Sequence, residues 1–102
     1  MKDQELLQIL RAVADESRLK ILRTLEKREL CNCEITDVFS LRQSTVSHHL
    51  KILAEAHLIT VRKEGKWNYY QLNHSTLEQL GPSLLQYVSA QIEEKPLCTR
   101  EC

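Results

Sequence analysis

Two cysteines one residue apart, Cys31 and Cys33, stand where a helix is predicted to begin, and two more, Cys98 and Cys102, lie near the chain's end. Thiolates are soft ligands that favour soft ions over hard ones. At a helix start, unpaired backbone N–H groups favour negative charge and lower a thiol's pKa, which is the expectation for Cys31 and Cys33. Residues two apart on a regular helix point about 200° away from each other. Both sulfurs therefore reach one ion only if the pair lies in extended backbone before the helix, or if binding unwinds its first turn. In the second case the distortion passes to whatever helix packs on it. Cys98 and Cys102, at i and i+4, could close over an ion on one helical turn or in a flexible tail.

The second chemistry is that of Gln43-Ser44-Thr45-Val46-Ser47-His48-His49-Leu50-Lys51. At about 100° per residue, Val46, Leu50 and Leu53 fall on one side, and Ser44, Ser47, His48 and Lys51 on the other. Small hydroxyls suit a helix that presses into the major groove, since they donate to and accept from base edges or phosphates at short range. Gln43 lies at the N-terminal end, where recognition helices make base contacts, beside Ser44 and Thr45; His49 sits at the edge of the two faces. Farther on, Arg62, Lys63 and Lys66 flank a hairpin tip, as a wing reaching the DNA backbone or minor groove would require. The formal net charge is zero, but Arg42 to Gln71 holds Arg42, Lys51, Arg62, Lys63 and Lys66 against Glu55 and Glu64, a net +3. A basic stretch in a neutral chain is a modest sign of a phosphate-facing surface.

The elements that must position these residues can be read from periodicity. Leu6, Leu7, Leu10, Val13 and Ala14 predict a first amphipathic helix. Asp15 is the expected N-cap of a second, with Leu19, Leu22 and Leu25 inward. Ile35, Val38 and Phe39 mark a short third helix, and the tight connection Ser40-Leu41-Arg42 leads into the fourth. The period then changes: Leu58 to Lys63 and Lys66 to Leu72 read as a β-hairpin, with Gly65 supplying the turn's positive φ. Helical period returns with Leu77, Leu80, Leu84, Leu85, Val88 and Ile92, and Gly81-Pro82 is expected to split that last helix. His57 is expected to cap the end of the fourth helix. The expected fold is mainly α with a small β-hairpin: a winged helix-turn-helix, α-α-α-α-β-β-α. Residues 1–94 form the folded unit and 95–102 a loose cysteine-containing tail.

Length and composition set the limits. A chain of 102 residues, 42% apolar, is one globular domain with a thin core that a second copy would supplement. Four cysteines are too few for a disulfide scaffold. The N-terminus shows no apolar leader and no run approaches transmembrane length, so no membrane association is expected and the expected compartment is the reducing cytoplasm. No arrangement of His48, His49, His57 or His74 with a nucleophile and an orienting acid suggests an enzyme or a small-molecule substrate.

Asp15-Glu16-Ser17-Arg18-Leu19-Lys20-Ile21-Leu22, Glu29-Leu30-Cys31-Asn32-Cys33-Glu34-Ile35, Gln43 through Leu53, and the hairpin ending Trp67-Asn68-Tyr69-Tyr70-Gln71-Leu72 together resemble the ArsR/SmtB family of winged-helix metalloregulators. The resemblance spans roughly Leu7 to Asn73. It implies a homodimer built through the first and last helices, two recognition helices on a palindromic operator in double-stranded DNA, and repression relieved by a toxic metal or metalloid. The C-x-C resembles the arsenic-sensing branch, in which three thiolates hold As(III) or Sb(III). One common version continues with a third cysteine where this chain has Thr36. Members lacking it often carry cysteines near the C-terminus, so the third sulfur is expected from Cys98 or Cys102. The main rival is a four-thiolate Cd(II), Pb(II) or Zn(II) site using all four cysteines. Further rivals are a metal-free thiol redox sensor and a structural zinc module that binds a protein partner. A zinc site on the last helix finds only His74, Glu93 and Glu94, wrongly spaced.

Overall fold

A computed structural model describes residues 1–90 of the chain; Cys98, Cys102 and the expected tail boundary lie outside the described residues. The elements are α1 (Asp3–Val13), α2 (Glu16–Leu25), β1 (Leu30–Cys31), α3 (Asn32–Phe39), α4 (Gln43–Glu55), β2 (Ile59–Glu64), β3 (Trp67–Leu72) and α5 (His74–Ser89). This is a mainly helical winged helix-turn-helix. The hairpin is joined by a strand not foreseen from the sequence. Leu30 and Cys31 pair with Tyr70 and Tyr69, giving an antiparallel sheet of order β1-β3-β2.

Local chemistry sets the boundaries. Asp15 has extended backbone, and its carboxylate accepts the Arg18 backbone N–H at 3.0 Å, capping α2 as expected. That N–H holds the Asp15 carboxyl below its ordinary value of 3.8, with Arg18 and His49 adding positive charge nearby. Asp15→Ala is expected to cost about 0.5–2 kcal/mol by urea denaturation. Because the folded state binds the proton less tightly than the unfolded chain, Asp15's contribution is present above pH 3.8 and lost as pH falls through the lower folded-state value.

α4 ends in a complete Schellman motif. The Leu58 N–H donates to the Leu53 carbonyl and the His57 N–H to the Ala54 carbonyl, each at 3.0 Å, with His57 left-handed at φ 61. The Asn73 side chain then donates to the His57 carbonyl at 2.9 Å, tying the start of α5 to this corner. At the wing tip Gly65, φ +63, takes the first of two turn positions, the φ pattern of a type II′ hairpin.

The core is built around Ile21, Leu30, Ile35, Val46, Leu50, Leu53 and Leu58, all fully enclosed. On three helices the periodicity is right for Leu6, Leu22, Leu25 and Ile35, which are buried, and wrong for other members of each set. In α1 the buried set is Leu6, Ile9 and Ala12, while Leu7 and Ala14 are exposed and Leu10 and Val13 half-buried. In α2 Ile21 replaces the expected Leu19, which is exposed, and in α3 Val38 is exposed. Nor is α5 split: it runs continuously through Pro82. Gly81 carries no Cβ to meet the proline ring, and α5 lies on the surface, where the carbonyl deprived of its partner can be solvated. Among the described residues no helix is long and apolar enough to cross a membrane.

Candidate thiol sensor and nucleic-acid interface

Cys31 ends β1 and is the N-cap of α3, with extended backbone (φ −85, ψ 163), whereas Cys33 lies in the first turn. Since only one of them is helical, the geometric objection to a C-x-C pair disappears. Both thiols are free; Cys31 is buried and Cys33 exposed. The Glu34 carboxylate accepts the Cys31 backbone N–H at 2.9 Å while the Glu34 N–H faces the Cys31 sulfur, a capping box with sulfur in the hydroxyl's place.

The expectation of a lowered Cys31 pKa is wrong. Burial outweighs the helix terminus and pushes the Cys31 thiol up, and a hydrogen bond to Cys33 adds to the effect. By contrast Glu34 is held below the usual carboxylate range by the Cys31 N–H. Between the thiols, the Asn32 Oδ1 is buried with no hydrogen-bond partner. Such an orphan costs about 1–3 kcal/mol, which lowers the cost of rearranging the first turn. Thr36 turns its hydroxyl back to the Asn32 carbonyl at 2.8 Å. Among the described residues no cluster of three or more His, Cys, Asp or Glu side chains could hold a metal ion.

α3 packs on α4 through the left-handed Ser40 (φ 52), and α4 buries Val46, Leu50 and Leu53 as its wheel required. On the outer side Gln43, Ser44, Ser47, His48 and Lys51 are exposed and Thr45 is half-buried. Arg42 occupies the N-cap without a side-chain cap, leaving first-turn N–H groups open toward an anion such as a phosphate. His49 is half-buried and turned inward, its Nδ1 3.3 Å from the Arg18 guanidinium. Arg18 also donates to the carbonyls of Ala12 at 2.7 Å and Arg11 at 3.4 Å, fastening α1, α2 and α4 together. In the sequence only Arg18's place three residues after an N-cap aspartate is visible; its bonds to α1 and α4 come from packing.

On the wing Lys63 and Lys66 are exposed. Arg62 is not free. It forms a fork with Glu29, Nη2 to Oε1 at 2.7 Å and Nε to Oε2 at 3.3 Å, pairs with Glu64, and lies over the Tyr69 ring at 4.8 Å. Glu29 was likewise missed; its partner is 33 residues away and no local pattern joins them.

A helix-turn-helix with an open recognition face, a basic wing and a thiol pair at the base of its supporting helix defines a DNA-binding regulator. Comparison with known proteins narrows the class. Residues 15–61 match the family model described as bacterial regulatory protein, arsR family. An arsenical resistance operon repressor of Staphylococcus aureus is 44% identical over 80 residues, covering 78% of this chain and 77% of the relative. A cadmium resistance transcriptional regulatory protein CadC homolog, also of Staphylococcus aureus, is 36% identical over 73 residues, 71% of this chain and 60% of the relative. A crystal structure titled as a possible transcriptional regulator for arsenical resistance superposes with a TM-score of 0.70 at 30% identity, covering 78% of this chain and 82% of that one. The chain belongs to the arsR family of bacterial regulatory proteins.

Proposed function

We propose that the chain is a cytoplasmic, homodimeric repressor that leaves a palindromic operator when As(III) or Sb(III) is captured by Cys31, Cys33 and a third thiol from Cys98 or Cys102. The observation that carries this reading is the placement of the thiol pair. One sulfur sits on the strand paired to the wing, and the other in the first turn of the helix that packs on α4. Ligation that draws the sulfurs together acts on both. A coupling of about 1–3 kcal/mol would weaken DNA binding roughly 5- to 150-fold. Gln43, Ser44, Thr45, Ser47, His48 and Lys51 are the proposed groove contacts and Lys63 and Lys66 the backbone contacts; His49 acts from behind, against Arg18. Dimerisation through α1 and α5 is supported by their shared apolar exposure: Leu7, Leu84, Leu85, Tyr87 and Val88 all face outward.

Arsenic is favoured over a divalent cation by the chemistry of a buried, neutral thiol. As(OH)3 condenses with a thiol so that each As–OH and S–H give As–S and water, with no net proton released. A Cd(II), Pb(II) or Zn(II) ion must displace the thiol protons into solution. The test is operator binding by the reduced protein, titrated with arsenite, antimonite, Cd(II), Pb(II) and Zn(II) across neutral pH, using a duplex the protein has selected from random sequence. Arsenite is expected to release DNA with an affinity nearly independent of pH. A divalent inducer would gain roughly tenfold in affinity per proton displaced for each pH unit. Release by Cd(II) alone, steepening with pH, would transfer the assignment to the four-thiolate alternative, which the cadmium-resistance relative keeps in view.

A further inference from the structure

Directly opposed residues on neighbouring antiparallel strands share a face of the sheet. Cys31 of β1 is opposite Tyr69 of β3, and Tyr69 is opposite Arg62 of β2. The buried thiol, a half-buried ring and the wing's arginine therefore form one row across all three strands. The guanidinium lies on the ring at 4.8 Å and reaches past it to fork onto Glu29, two residues before Cys31. Arg62 thus meets the surroundings of the thiol-bearing strand at two points, pairing with Glu29 just ahead of β1 and lying over Tyr69, the β3 residue opposite Cys31. Two of its charge partners, Glu29 and Glu64, already neutralise it, which leaves little positive charge for a phosphate. Lys63 and Lys66, farther toward the tip, carry no such pairing among the described residues.

We propose that Arg62 is a positioning residue: through Glu29 it clamps the wing to the segment that leads into the strand carrying Cys31, and through that clamp capture of a thiophilic ion displaces Lys63 and Lys66 from DNA. The thiol signal then has two exits, one through α3 to α4 and one along the row Cys31–Tyr69–Arg62 to the wing. The second exit rests on the inducer reading above; the clamp itself does not. An isolated surface ion pair would contribute little, but a forked arginine in a network of two carboxylates and a ring is held in one geometry.

The test uses the full-length reduced protein, the selected duplex and sodium arsenite, with Glu29→Gln, Arg62→Gln and the charge swap Glu29→Arg/Arg62→Glu. Circular dichroism and thermal melts check that each variant folds; all the changes are at partly or largely exposed side chains. A clamp requires Glu29→Gln and Arg62→Gln to weaken operator binding alike, and the swap, which re-forms the 29–62 pair but sets a carboxylate beside Glu64, to bind more tightly than Arg62→Gln. Both single variants are also expected to lower the arsenite-induced release ratio, by roughly 2- to 30-fold, and the swap to recover part of that ratio. A direct phosphate contact by Arg62 makes the opposite demand. Glu29→Gln would then bind as well as or better than wild type, Arg62→Gln would bind worse, and the swap would be the worst of the three. That pattern overturns the proposal, as does an arsenite release ratio equal in all four proteins. A wild type indifferent to arsenite would instead defeat the inducer reading, and the affinities alone would still decide whether Arg62 clamps or contacts.

Discussion

Cys33→Ser is expected to bind the operator as wild type does and to stay bound when arsenite is added. The exposed side chain sits in the first turn of α3, where serine is compatible with the helix, so removing its sulfur leaves the core and the reading face unaltered. What is lost is one soft donor, and a hydroxyl does not replace a thiolate toward a soft ion. A release ratio of roughly 5- to 150-fold should fall to near one. Cys31→Ser should behave the same way despite burial, because oxygen at that position with Glu34 three residues on is the usual capping box. The measurement is fluorescence anisotropy of the duplex with increasing arsenite. Wild-type release by either variant would remove the thiol pair from the mechanism.

The other large effect is expected at α5. α5 buries none of its residues in the single chain, and Val88 and Leu85 stand 71% and 67% exposed. With Leu6, Leu7, Leu10, Leu84 and Tyr87, Val88 lines a mostly apolar cleft between α5 and α1. An apolar face of this kind on a domain with a thin core is what a second copy would cover. Val88→Glu would bury an unpaired charge there, at a cost of about 3–5 kcal/mol, equivalent to roughly a hundred- to several-thousandfold in dimer affinity. Sedimentation velocity should find monomers. Operator binding should fall with it, since a palindromic site is read by two recognition helices at fixed spacing. A Val88→Glu protein that stays dimeric would place the interface elsewhere.

How legible these features are in the sequence depends on the range of the interaction. The reading helix is set by a local period, and Val46, Leu50 and Leu53 are buried where the wheel puts them. Caps are local as well, so Asp15 and His57 could be named in advance. The strand β1 could not. Two residues have no periodicity, and Leu30 and Cys31 become a strand only because Tyr70 and Tyr69 lie alongside. The same pairing buries Cys31 and reverses the expected direction of its pKa, since a helix start is visible in the sequence but a burying neighbour is not. Leu19 and Ile21 each fit a helical stripe, and only the packing of α2 separates them. In α1 and α5 the period merged two apolar faces into one. Leu6 and Ile9 enter the core, whereas Leu7, Leu84 and Val88 remain outside it. The sequence groups Arg62 with Lys63 and Lys66 at the wing and cannot show its pairing with Glu29, which is remote in sequence.

Binding linkage supplies the most direct examination of the whole scheme. If thiol ligation and the DNA-bound shape draw on the same stretch from β1 into α3, each must weaken the other by an equal factor. Arsenite affinity should therefore be measured by titration of the free protein and of the protein saturated with its duplex. The expected result is weaker arsenite binding on DNA, by the same factor by which arsenite loosens the duplex. Equal arsenite affinities in the two states would mean that sulfur capture and operator recognition are independent, and the switch described above would not exist.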